Sequence, residues 1–126
     1  MTTRLLLMVS GAIEVATGAA LILAPEVVAR LLLGAGLSDG GVAVARVAGF
    51  GLLSLSIACW PGGNEATAQA TWALFVYNLL AGLYLGYLRV GGGFVGYLLW
   101  PACALHALLA LLFARPAYER ARQTLQ

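Results

Sequence analysis

Four side chains could do chemistry, because each is polar and each falls near the middle of a long apolar run: Glu14, Tyr77, Asn78 and His106. A carboxylate at the centre of a membrane span costs about 2.5–3.5 kcal/mol on insertion scales, so it turns inward and finds a partner. An amide at that depth hydrogen-bonds across helices. An imidazole can carry a proton, accept a hydrogen bond or ligate a metal. Counting from the centre of each run puts Glu14 and Asn78 at mid-depth and His106 roughly 4 Å from it. Helical side chains lean toward their own N-terminus, which carries His106 back toward the same level. Three helices thus supply one polar layer, with Tyr77 as a fourth member. Such a layer can exchange protons, hydrogen-bond a small hydrophobic ligand, or hold helices together.

Three further residues are secondary candidates: Arg46, Trp100 and Tyr84. Arg46 is the obvious ion partner for Glu14, but its Cα lies roughly 7 Å from mid-depth and the two side chains lean toward opposite surfaces. It is expected to reach the headgroups or Asp39 instead. Trp60, Trp72 and Trp100 suit belt or packing positions. Each member of the layer also has a plainer reading: Glu14 and Asn78 as interhelical glue, His106 as a packed core histidine.

No catalytic residue is expected. The chain lacks Cys-x-x-Cys, His-Glu-x-x-His, Gly-x-Ser-x-Gly and a phosphate loop. A metal site would need Glu14, Cys103 and His106 to converge, so neither a metal nor another cofactor is expected. Cys59 and Cys103 differ in depth by roughly 12 Å, too far for a disulfide.

The elements that must position these groups are helices in a bilayer. Of 126 residues, 62% are hydrophobic and only 10% charged, with mean hydropathy +0.93. A soluble domain is nearer 25% charged. The net charge of +2, carried by scattered arginines and no lysine, excludes a nucleic-acid partner.

The fold expected is all-α: an integral membrane, up-down four-helix bundle with a short interfacial helix after the first span. The spans fall at about 5–24, 42–60, 68–88 and 94–113, the interfacial helix at about 25–33. Residues 1–114 form the transmembrane domain and 115–126 a polar C-terminal tail. The first run exceeds the about 7–15 residues of a signal-peptide core, and Glu14 would interrupt it, so it is read as a retained span.

Pro25 ends the first span and sits at the first position of the interfacial helix. Ser38 or Asp39 can cap the next helix. The short turn Gly62–Asn64 predicts that the second and third spans are antiparallel neighbours. Pro101 predicts a kink in the fourth span, and Arg115-Pro116 its end.

Small residues mark the contact faces. Ser10, Gly11, Glu14, Thr17 and Gly18 share one side of the first span. Asn78, Gly82 and Gly86 line the third, and Ala102, His106 and Ala110 the fourth. These ridges exceed what one bundle uses, so a homo-oligomer or membership of a larger complex is expected. Four spans put both termini on one side. Arg4, Arg115, Arg120 and Arg122 there, against Arg30, Arg46 and Arg89, favour cytoplasmic termini in a bacterial inner membrane.

The stretches GAIEVATG, AP-VV-RLLLG, ARVAGFGLLSL, YNLLAGLYLGYL and LLWPACALHA give the chain, end to end, a pattern that resembles small bacterial four-helix membrane proteins, DoxX-like in the broad sense. That resemblance implies a fold and no established activity. GAIEVATG alone is also similar to the first span of small multidrug-resistance transporters, which implies a proton-carrying role for Glu14. The Arg/Asn/Glu signature of the four-span glutathione enzymes is absent. The leading expectation is a structural or accessory membrane subunit built around Glu14. The alternatives are a proton-linked small-molecule transporter and a lipid- or quinone-binding redox-related protein. Membrane lipid and a small hydrophobic ligand are the partners these readings call for.

Overall fold

The computed structural model describes residues 2–62 and 64–123, with backbone alone at 64–66, 120, 121 and 123. Gly63 of the short turn, the Arg120 side chain and tail residues 124–126 lie outside the described residues. Five helices and no strand occur among them: α1 Thr3–Leu23, α2 Pro25–Leu33, α3 Asp39–Ala58, α4 Asn64–Val90 and α5 Leu99–Gln123. All but α2 are long and apolar enough to cross a membrane.

Local chemistry sets the helix ends. The Thr2 hydroxyl accepts from the Leu5 amide at 3.4 Å and starts α1. Pro25 occupies the first position of α2, where its missing N–H is no loss. Gly34, at φ 73°, closes α2 in a left-handed conformation that a side chain would disfavour. The Ser38 hydroxyl caps α3 by accepting from the Gly41 amide at 3.1 Å. Glu26 braces the loop between α2 and α3: its Oε2 accepts from the Leu37 amide at 3.4 Å and lies 3.9 Å from Arg30.

Small residues decide which helices pair. α1 packs along α3, and α4 along α5, while α1 also touches α2, α4 and α5. At the α1–α3 crossing Gly18 and Gly49 meet backbone to backbone. A Cβ on Gly18 would stand 2.8 Å from the Gly49 carbonyl oxygen, and one on Gly49 would stand 2.7 Å from that of Gly18. One turn or two away the Ser56 hydroxyl donates to the Gly11 carbonyl at 2.8 Å. Contacts move in opposite senses along the two helices, so the pair is antiparallel. Likewise His106 packs on Gly82, and Cys103 on Gly86.

Four expectations from sequence need correction. The turn at Gly62 predicts α3 and α4 as neighbours, yet they do not pack along one another. The turn only brings their ends together, while the small faces send α3 to α1 and α4 to α5. The last long helix starts at Leu99 rather than Phe94, because residues 91–94 are tied to the end of α4 and 95–98 are held against α2. The Leu98 amide donates to the Leu31 carbonyl at 2.8 Å, and Gly96 lies against the Leu32 carbonyl with no space for a side chain. Pro101 therefore falls in the first turn of α5, where it displaces no interior hydrogen bond and imposes no kink. Pro116, in turn, does not end α5, which runs through it to Gln123. Arg115 Nε donates to Glu119 Oε1 at 2.8 Å, one turn along the same exposed face.

The tightest packing lies where α1 and α4 begin and α3 ends. Leu6, Leu7, Cys59, Leu74, Leu109 and Phe113 form a closed apolar core there. Cys59 and Cys103 are free.

Candidate functional site: two polar pairs at mid-bundle

Above that core, α1, α4 and α5 each present a polar side chain inward. Glu14 is 1% exposed and Asn78 fully buried, while Tyr77 and His106 are half-buried. Burial follows from helix geometry: Ser10, Gly11, Glu14 and Gly18 share one face of α1 and all four are buried.

The four do not form one network. They form two pairs that touch at an edge. In the first pair the Tyr77 hydroxyl lies near the Glu14 carboxylate. Oε1 of Glu14 is buried with no partner among the described residues, and so is the Ser10 hydroxyl one turn earlier. In the second pair His106 Nδ1 and Asn78 Oδ1 are 2.8 Å apart. The Asn78 Nδ2 donates to the Leu74 carbonyl, also at 2.8 Å. The pairs meet where the Tyr77 and His106 rings pack edge to face, centroids 5.6 Å apart. Shared depth, read from sequence, places the four side chains at one level. It does not distinguish which of them pair, because that depends on how each helix is rotated about its axis.

The secondary candidates lie outside this level. Arg46 is exposed on α3 and makes no ion pair among the described residues, where the ion pairs are Glu26–Arg30 and Arg115–Glu119. Trp100 is exposed, with the Arg89 guanidinium 5.9 Å from its ring centre. Tyr84 is exposed and stacks on Tyr87, ring centres 6.3 Å apart. No group of three or more His, Cys, Asp or Glu side chains able to hold a metal occurs among the described residues.

Two features go beyond what the sequence indicated. One is that the Ser10 hydroxyl, on the same face of α1 as Glu14, has no partner among the described residues. The other is a groove between α1, α2, α4 and α5, of about 480 Å³, with Ile13, Thr17, Val28, Leu32, Leu105 and His106 among its walls. A second groove, of about 570 Å³, runs along α4 and α5 on the side of Asn78, Gly82 and Cys103. The His106–Asn78 pair thus stands between two apolar surfaces.

What this arrangement can do chemically is limited and specific. It can hold three helices in register through buried hydrogen bonds. It can keep one carboxyl group away from solvent. It can offer a hydrogen-bonding edge to an apolar groove. No family model, no curated protein and no solved structure matches this chain.

Proposed function

We propose that this chain is a small multi-pass membrane protein acting as a structural or accessory subunit, with the layer around Glu14 holding its helices in register. One observation carries the reading. Most inward polar groups are engaged with one another or with helix backbone: His106 with Asn78, Asn78 with Leu74, Ser56 with Gly11, the exceptions among the described residues being Ser10 Oγ and Glu14 Oε1. Groups consumed in this way are glue first. The arginine bias supports cytoplasmic termini in a bacterial inner membrane. A C-terminal reporter active only in the cytoplasm is expected to be active, and a signal only from the opposite side would reverse that orientation.

A second reading, proton-linked transport, draws support from the buried, unpartnered Oε1 of Glu14. Intramembrane acids of this kind mark proton paths in many transporters. One pair of variants separates the two. Under the structural reading Glu14→Gln, which keeps shape and hydrogen bonding, leaves stability unchanged. Glu14→Ala then lowers it by about 1–2 kcal/mol, the scale of interhelical hydrogen bonds in membranes. The readouts are unfolding in detergent micelles and proton uptake by vesicles containing the protein. A Glu14→Gln variant that folds normally but abolishes a wild-type proton flux would remove the purely structural reading.

A further inference from the structure

The groove beneath α2 has one property that its apolar walls conceal. Its depth runs from α2, where Val28 and Leu32 line it, down to Ile13 and His106 near the centre of the bundle. Its size falls within the range of about 300–1,000 Å³ typical of small-molecule sites. Its walls are aliphatic, with no aromatic side chain among them, and only two carry polar atoms: Thr17 and His106.

The state of the His106 ring follows from its neighbour. Asn78 donates through Nδ2 to the Leu74 carbonyl, so its amide is oriented with Oδ1 toward the histidine. Reversing the amide would set two carbonyl oxygens face to face. Asn78 Oδ1 can only accept, so His106 Nδ1 must be the donor across the 2.8 Å contact. In a neutral imidazole the other nitrogen, Nε2, is then an acceptor. Neither Nε2 nor the Thr17 hydroxyl has a protein partner among the described residues, whereas Nδ1 is taken.

His106 lines the groove and its Nδ1 is turned to Asn78, so Nε2 is the ring nitrogen left for a molecule there, and that selects a particular kind of molecule. A phospholipid cannot place its charged headgroup there, because that charge belongs at the membrane surface. A hydrocarbon chain would fill the volume and leave Nε2 unpaired. An uncharged aliphatic lipid with one hydroxyl satisfies both demands. Its O–H donates to Nε2, and its chain lies along α1 and α2. We propose that this groove binds an uncharged, hydroxyl-bearing aliphatic lipid, with the hydroxyl donating to His106 Nε2. This rests on the membrane placement proposed above, and not on any role for Glu14.

His106 is the single histidine of the chain, so its ring nitrogens can be watched without ambiguity. The protein would be labelled with ¹⁵N-histidine and held in micelles of an amine-oxide detergent, which carries no hydroxyl. Farnesol, a branched aliphatic alcohol, would be titrated against its methyl ether, which has the same chain and no donor. The expected result is a saturable upfield displacement of Nε2 by farnesol, with Nδ1 unmoved and no displacement by the ether. Ala16→Leu, which puts bulk into the groove wall, should weaken the farnesol response about tenfold or more, a loss of about 1.4 kcal/mol. Equal responses to alcohol and ether would reduce the groove to a slot for any acyl chain and overturn the proposal. So would no response to either, or a ring already protonated on both nitrogens. These outcomes are read on the unsubstituted protein, so they stand even where Ala16→Leu fails to fold. A folded protein that ignores farnesol refutes the site alone, because the C-terminal reporter and the Glu14 variants test the other reading separately.

Discussion

The two ends of this bundle are built from the same helices and packed in opposite ways. At the end where α1 begins, Leu6, Leu7, Leu74 and Phe113 close over one another, with Leu7, Leu74 and Phe113 at 0% exposure. At the other end α1 presents Ala16 and Ala20, its cap residue is Ala24, α5 adds Ala102, and a groove of about 480 Å³ remains. Side-chain volume separates the two ends. Leucine and phenylalanine fill the space between helices, and alanine leaves it. The polar layer sits at the boundary, with Glu14 and Tyr77 against the closed half and His106 reaching the open one.

The comparison can be broken most forcefully in the closed half. Phe113→Ala should lower stability by about 2–3 kcal/mol. That is less than the about 3–5 kcal/mol seen for such truncations in water-soluble cores, because with the helices in a membrane, as proposed above, only packing contacts are lost and the transfer from water is not. Reversible unfolding in mixed micelles measures it, and a loss below about 0.5 kcal/mol would mean that this end is not close-packed. A smaller effect is expected at the crossing that both halves share. Gly49→Ala puts a methyl 2.7 Å from the Gly18 carbonyl and 2.8 Å from Ile22 Cγ1. The helices must separate, at about 1–2 kcal/mol in the range of overpacked cores. The same unfolding assay reads it, and a neutral Gly49→Ala would show that α1 and α3 slide freely. The smallest effect belongs to the open half, where Ala16→Leu should change stability by no more than about 0.5 kcal/mol, since the added bulk enters space already present. A loss on the scale of Phe113→Ala would show that the groove closes in solution, and the two ends would no longer differ.

Sequence alone carried much of this. Runs of about twenty apolar residues, with so few charges, demand helices long enough to cross a membrane, because a backbone without water must satisfy its own hydrogen bonds. Pro25 placed α2 and Ser38 placed the start of α3, since capping is decided by residues within a few positions of the end. The inward face of α1 was legible from the spacing of Ser10, Gly11, Glu14 and Gly18, although Thr17, expected on the same face, is exposed. Proline read less well. Pro101 depends on where the helix begins, which a hydrogen bond from Leu98 to Leu31 decides across more than sixty positions of chain. Pro116 lies inside a helix that continues on both sides of it.

Pairing was the part that only the tertiary structure decided. A short turn makes α3 and α4 adjacent in sequence, but Gly18 against Gly49 and His106 against Gly82 commit each to a different neighbour. The same holds within the polar layer. Composition and depth bring Glu14, Tyr77, Asn78 and His106 to one level, whereas the rotation of each helix about its axis sets Glu14 against Tyr77 and His106 against Asn78. That rotation is fixed by side chains meeting across helices. Periodicity within one helix gives its inward face but not the neighbour that face meets, so no single helix sequence records the pairing.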